Sequence, residues 1–230
     1  MPGDKLGERK PYLAIIQGNL RQAVDEGTPD AEKRDYETPQ GKKGTKFELI
    51  YKNWTGSILN LKIKEHPEYG EFLNIEFEDA VISINAQSRY FADIVKKLAS
   101  VDINKPVTLV PYDFEVDGKR KSGVVVNQDG AKIISFYDQK DEAGKWHQIN
   151  GFPEVEGDRE TFKKDDWKIY FLKVKQFLIG EVEKINSKII IPAPKELTQE
   201  EIDKMKDDVE QPEIPTIKDE EEINIADVPF

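Results

Sequence analysis

The sequence predicts a mainly β protein with helices: a small antiparallel barrel, a long C-terminal helix and a disordered acidic tail. Three observations carry that expectation. Short runs rich in β-branched and aromatic residues, punctuated by Gly and Pro, fill residues 46–85 and 107–137. Helical spacing of apolar residues appears between those two sets and again after them. The acidity gathers at the end of the chain. Residues 196–230 hold thirteen acids against three bases, a net charge of -10, which leaves residues 1–195 at -1.

Taken in order, residues 1–45 read as an N-terminal leader and loop, partly ordered. Tyr12-Leu13-Ala14-Ile15-Ile16 is a strand or a buried turn, and 25–44, with Pro29, Pro39, Gly27, Gly41 and Gly44, is a loop. Residues 46–195 form the barrel domain. Its first strands are expected at 47–54, 56–64, 71–79 and 80–85. Leu59, Leu61 and Ile63 alternate with polar residues, as do Leu73, Ile75 and Phe77, so each set lines the buried face of a half-exposed strand. Ser88 reads as a helix N-cap, followed by Tyr90, Phe91, Ile94, Val95 and Leu98 at helical spacing. Strands resume at 107–115 and 122–127, joined by a hairpin with a basic tip, and continue at 131–137. Residues 138–151 read as a polar loop carrying Trp146 and His147. The long helix is expected at 158–186, and 189–191 as one more short strand. From residue 196 the chain is too acidic and too poor in apolar residues to stay folded alone. Two strand sets with a helix between them suggest a closed or partly closed antiparallel barrel with the makeup of the OB-fold, the alternatives being another barrel or an α+β sandwich.

Composition narrows the function. The chain has 230 residues, a charged fraction of 34% and no apolar run near the ~18 residues of a membrane span, which describes a soluble protein without a membrane partner. The polar start, Met1-Pro2-Gly3-Asp4-Lys5, lacks a signal-peptide core, so a cytoplasmic location is expected. Zero Cys removes disulfides, thiolate metal sites and thiol nucleophiles, and His66 and His147 are the only imidazoles. The acid clusters Asp165-Asp166, Asp207-Asp208 and 219–222 have no His neighbours, and no phosphate-cradling Gly loop is present. The expectation is a protein that is not an enzyme and needs no metal or cofactor.

The end of the tail is the most informative stretch. An acidic run, Asp219-Glu220-Glu221-Glu222, is followed by Ile223-Asn224-Ile225-Ala226 and then Asp227-Val228-Pro229-Phe230. A partner could take the Phe230 ring in a pocket, hold the carboxylate with a basic side chain and use the acids for steering. This tail resembles that of bacterial and bacteriophage single-stranded-DNA-binding proteins, which end in acids followed by Asp-Ile-Pro-Phe or a close variant. The body is similar to phage-encoded members through Val107-Thr108-Leu109-Val110-Pro111-Tyr112-Asp113-Phe114, the basic hairpin and residues 123–137. The resemblance implies an OB-fold that coats single-stranded DNA without strong sequence preference during DNA replication, recombination and repair. It also implies that Asp227, Val228, Pro229 and Phe230 recruit a polymerase, helicase, primase or nuclease, in the host cytoplasm if the protein is phage-encoded.

Single-strand binding needs cations for phosphates and aromatic faces for bases. Lys42, Lys43 and Lys46 stand at the entry to the first strand, and Lys46, Lys52 and Trp54 are expected to share one of its faces. Lys62, Lys64 and Phe72 alternate away from the core residues. Lys119, Arg120 and Lys121 form the hairpin tip, Tyr112 and Phe114 share one strand face, and Trp146 is a further candidate. Each aromatic is also a candidate for packing. Trp167, Tyr170 and Phe171 are expected to pack the long helix onto the barrel or onto a second subunit, which allows a homo-oligomer. The rival expectation is an interaction protein, such as a phage assembly or inhibitory factor, whose tail occupies a host pocket without any nucleic acid.

Overall fold

The computed structural model describes residues 10–38, 41–157 and 160–190. The chain divides into a body ending at Ile191 and a segment from Pro192 to Phe230. The expected acidic tail and its Asp227–Phe230 tip lie outside the described residues, as does residue 191 of the expected 189–191 strand, while Ile189 and Ile190 are described and belong to no strand.

Three strands occupy the stretch expected to be leader and loop: β1 (Tyr12–Ile16), β2 (Asn19–Val24) and β3 (Glu32–Glu37). They are followed by β4 (Lys43–Tyr51), β5 (Trp54–Gly56), β6 (Asn60–His66), β7 (Gly70–Glu76) and β8 (Val81–Asn85). Helix α1 (Arg89–Leu98) precedes the long hairpin of β9 (Val107–Val116) and β10 (Lys119–Gln128) and the short β11 (Ala131–Lys132). The expected loop at 138–151 contains a small hairpin, β12 (Asp138–Lys140) and β13 (Trp146–Gln148), and α2 (Lys164–Asn186) closes the described chain. The body is mainly β, with two helices, one of them C-terminal.

The strands form a seven-stranded sheet in the order β3-β4-β2-β1-β8-β7-β6 and a four-stranded sheet in the order β11-β10-β9-β5. The two sheets share one run of chain. β5 pairs antiparallel with β9, and after residues 57–59 the same run continues as β6, paired antiparallel with β7. Ile58, at the crossing, is buried. A closed or partly closed antiparallel barrel is expected; the two sheets are not closed on each other, and β1 pairs parallel with β8. The edge of β8 beyond β7 is taken by β1, so the sheet extends through β2 and β4 to β3 and pairs with no strand of the four-stranded sheet.

Leu73, Ile75 and Phe77 bury as expected, whereas in the other alternating set Leu61 is buried and Leu59 and Ile63 are half-buried. Leu61, Leu73, Ile75, Phe77, Ile82 and Ile84 are nearly inaccessible and face Val107, Leu109, Val124 and Val126 of the other sheet. Ser88 caps α1, its hydroxyl accepting the Phe91 N–H at 3.3 Å, and Phe91, Ile94, Val95 and Leu98 seal the core. Lys97 is buried, but it is paired with Asp93 at 2.7 Å and donates to the Val124 carbonyl at 2.6 Å.

α2 begins at Lys164, six residues later than expected, where the Asp166 carboxylate accepts the Lys163 N–H at 2.8 Å. Its C-terminal half buries Leu178, Val182 and Ile185. Its last residue reaches the free edge of β6, the Asn186 Oδ1 accepting the Leu61 N–H at 2.7 Å. The β1–β2 turn, Gln17-Gly18, has both residues at positive φ and rests on β9. A Cβ on Gly18 would come within 2.5 Å of the Asp113 backbone N, so only glycine fits there. Among the described residues, no helix is long and apolar enough to cross a membrane.

Candidate nucleic-acid interface

The seven-stranded sheet has a second face, turned away from the core, and pairing register identifies its members. Lys62, Asn74, Ser83, Ala14, Arg21 and Ile50 lie side by side across β6, β7, β8, β1, β2 and β4. One pleat along, Lys64, Phe72 and Asn85 form a parallel row, and one pleat the other way are Asn60, Glu76, Val81 and Tyr12. Lys46 and Glu48 of β4 and Arg34 and Tyr36 of β3 continue the same face. Within it, Lys10, Tyr12, Asn60, Lys62, Lys64 and Asn74 line a groove of about 650 Å³.

The charge on this face is sorted. Glu48 is only 3% exposed and is clamped by Arg34, at 2.7 and 2.6 Å, and by Arg21 at 3.2 Å. The Arg34 hydrogen bonds hold its carboxyl below the usual range, against the opposing effect of burial. Glu76 is paired with Lys10 at 3.1 Å. Glu32, on the outermost strand, is exposed. Among the described residues, no acid pairs with Lys46, Lys62 or Lys64. These ammonium groups are available for phosphates.

Flat side chains accompany the cations. Tyr12 is 56% exposed. Phe72 is half-buried at the rim, 6.4 Å from the His66 ring, which lies 4.8 Å from Tyr69. Tyr36 carries Lys46 over its ring at 5.2 Å. Asn74 is buried, and its Oδ1 accepts from the Ser83 hydroxyl at 2.9 Å, which orients the amide within the groove wall.

Of the residues expected to bind DNA, Lys46, Lys62, Lys64 and Phe72 are thus gathered on one face. Lys42 and Lys43 sit at the start of β4, Lys43 on the opposite pleat and 3.7 Å from Glu37. The expected shared face of Lys46, Lys52 and Trp54 does not form. β4 ends at Tyr51, Lys52 and Asn53 make a bend, and Trp54 begins β5 in the other sheet. Trp54 is half-buried, edge-on to Tyr51 at 5.5 Å, with Nε1 donating to Asp79 at 3.3 Å.

A second patch lies on the β9–β10 hairpin. Tyr112, Phe114, Lys119 and Lys121 share one face of it, with the Tyr112 and Phe114 rings 5.5 Å apart and Phe114 exposed. Arg120 lies on the opposite face and is engaged. It grips Asp113 through two nitrogens, Asp113 accepts from the Tyr90 hydroxyl at 3.2 Å, and that hydroxyl accepts from the Gly18 N–H at 3.1 Å. Arg120 first of all holds the Asp113 carboxyl below the usual range; this ion pair lies within the hairpin, and the neutral Tyr90 hydroxyl links it to the β1–β2 turn. Trp146 stands apart on β13, exposed, with Lys140 at 5.1 Å over its ring.

Lys10, Tyr12, Arg21, Arg34, Tyr36, Asn60 and Asn74 join the face without having been singled out from the sequence. The signal was the alternation of Tyr12, Ala14 and Ile16 against Leu13 and Ile15, hidden because all five are apolar or aromatic. Among the described residues, no group of three His, Asp or Glu side chains could hold a metal ion. Asp165 and Asp166 serve the start of α2, pairing with Lys168 at 2.8 Å and capping Lys163. Comparison with protein-family models, curated proteins and solved structures gave no match.

Proposed function

We propose that this chain binds single-stranded DNA, coating it without strong sequence preference and without catalysing a reaction. The observation that carries the reading is the recessed outer face of the seven-stranded sheet. Unpaired Lys46, Lys62 and Lys64 surround exposed or rim-placed Tyr12, Phe72 and Tyr36 there, while the nearby acids Glu48 and Glu76 are neutralised by Arg34, Arg21 and Lys10. Phosphates meet free cations on that face, and bases meet ring faces.

An OB-type reading of the fold is supported by connectivity. One strand run shared by two sheets, a β6–β7–β8 meander, an intervening helix and a β9–β10 hairpin follow in OB order. In that arrangement the meander's outer face and the hairpin arms are the binding surface. The tip Asp227-Val228-Pro229-Phe230 is proposed to recruit replication, recombination or repair proteins, in a bacterial cytoplasm.

Fluorescence anisotropy of labelled oligo-dT, duplex DNA and RNA at two salt concentrations tests the reading. Tight, salt-dependent binding of oligo-dT with much weaker duplex binding is expected. Absence of oligo-dT binding would overturn it. The rival, a protein-interaction factor, is favoured by one observation: Ile169, Phe171 and Leu172 are exposed on the first half of α2. It becomes the better reading if no nucleic acid binds.

A further inference from the structure

The seven-stranded sheet ends in β6 on one side and β3 on the other. The two edges differ. α2 packs along β6, and its Asn186 side chain accepts the Leu61 N–H. Among the described residues, β3 pairs with β4 alone, so its other side is open.

The hairpin geometry fixes which backbone groups are open. The Thr38 N–H donates to the Lys42 carbonyl at 2.8 Å, so the backbone of Thr38 points toward β4. Successive residues of a strand point these groups to opposite sides. The pairing runs without a break from Glu37↔Lys43 to Glu32↔Glu48 and carries that alternation down β3. Arg34 and Tyr36 therefore bond to β4. The N–H and C=O groups of Lys33, Asp35 and Glu37 point outward, and all three of these residues are exposed.

This open edge is complementary to itself. Let two copies pair antiparallel about a two-fold axis through Asp35. Lys33 of each copy then faces Glu37 of the other, and every outward N–H and C=O of Lys33, Asp35 and Glu37 gains a partner. On the outer face, Arg34 of each copy faces Tyr36 of the other, a cation against a ring. Asp35 meets its own copy at the axis. That single like-charge pair is outweighed by two opposite-charge pairs and two Arg–Tyr contacts. Charged edges normally keep strands apart. Here the charges refuse a strand with an unmatched pattern and accept a second copy of this one.

We propose that this chain forms a two-fold dimer through antiparallel pairing of its β3 edges, centred on Asp35. The contact closes on itself, because α2 occupies the β6 edge that a head-to-tail chain of copies would need. The axis stands perpendicular to the sheet, since it reverses strand direction and keeps each side chain on its pleat. The outer faces of both sheets therefore join into one surface. Each copy adds Arg34 and Tyr36 to the cationic and aromatic face of the other. The dimer stands independently of the single-strand reading, and the use of the joined surface by DNA rests on it.

Light scattering of the full chain at micromolar concentration should give a dimer. Lys33→Glu sets like charges against Glu37 twice and should weaken dimerisation by roughly tenfold or more. Lys33→Glu combined with Glu37→Lys should restore it, which a merely misfolded Lys33→Glu variant would not allow. The chain has no Cys, so introduced cysteines are unique. Facing Asp35 Cα atoms should lie about 5.5 Å apart, within disulfide reach. Asp35→Cys should therefore cross-link to itself under mild oxidation. Lys33→Cys and Glu37→Cys should cross-link when mixed and much less when either is alone. A monomeric parent chain would overturn the proposal. So would a dimer that Lys33→Glu leaves intact, or one in which neither cysteine pairing cross-links. Failure of the dimer to bind oligo-dT is a separate result, which sinks the single-strand reading and leaves the dimer standing.

Discussion

Arg34 and Glu48 form a two-pronged ion pair on the side of the seven-stranded sheet away from the core, with Nε to Oε2 at 2.7 Å and Nη2 to Oε1 at 2.6 Å. The pair joins the edge strand β3 to β4, and Arg21 of β2 completes a three-strand tie. Charges buried this way are costly to separate, because either partner left alone remains desolvated.

Glu48→Gln should therefore destabilise the fold by about 3 kcal/mol near pH 7, within the range for breaking a buried pair. The pH dependence has a definite sign. Glu48 lies below the ordinary 4.5 in the folded protein, so its contribution is complete above the unfolded value and disappears as pH falls through its own lower value. Urea titrations of both proteins between pH 7 and pH 3 should show the gap narrowing on the acid side. A constant gap would assign the loss to packing instead.

Lys62 and Lys64 are expected to contact phosphates. Replacing both with Ala should lower the log–log salt slope of single-strand binding by about 1.4, at roughly 0.7 per lost contact. The loss should be similar for all base compositions. An unchanged slope would place the backbone path on the β9–β10 hairpin, which the Lys119→Ala/Lys121→Ala variant would then reveal.

Phe72 and Trp54 should separate stacking from packing. Phe72→Ala should weaken oligo-dT binding by roughly 1–3 kcal/mol, the range for a stacked base, with little change in stability. Trp54→Ala should do the reverse, since its ring packs on Tyr51 and its N–H is held by Asp79. Melting temperature and anisotropy measured on both variants decide the matter.

Asn186→Ala should cost about 1 kcal/mol by leaving the Leu61 N–H without its protein partner. Hydrogen exchange at Leu61 should accelerate while the β7–β8 amides stay protected. Equal exchange at Leu61 in both proteins would show that the edge is guarded by something other than this bond.

Much of the fold was legible where chemistry alternated. Leu61/Ile63 and Leu73/Ile75/Phe77 gave β6 and β7, and Ser88 marked the start of α1 within a residue. β3 was not legible, because Glu32-Lys33-Arg34-Asp35-Tyr36-Glu37 carries no apolar period. It is an edge strand whose charged side chains face water or its β4 neighbour, so burial imposed no pattern on it. β1 was legible only as a strand or a buried turn, because its residues are apolar on both pleats and show no alternation. The site followed the same logic. Lys62, Lys64 and Phe72 could be placed because their strand neighbours were plainly core. The grouping of Lys46 with Lys52 and Trp54 failed because the chain changes sheets after Tyr51, and a two-residue bend has no periodic signature. Tyr36 and Tyr12 meet that face only through long-range pairing, which no local pattern encodes.

The Leu61–Asn186 bond spans 125 residues of sequence. At about 5–20 residues per second, a ribosome takes roughly 6–25 s to make that span. Through that interval the β6 edge is already synthesised, but the helix that will cover it is not. A nascent chain can pair such an edge with a neighbour on the same message. The last turn of α2 is thus a timing element as well as a cap. Slow codons or stalled translation between residues 61 and 186 should raise the yield of insoluble chain, even though the finished protein is unchanged.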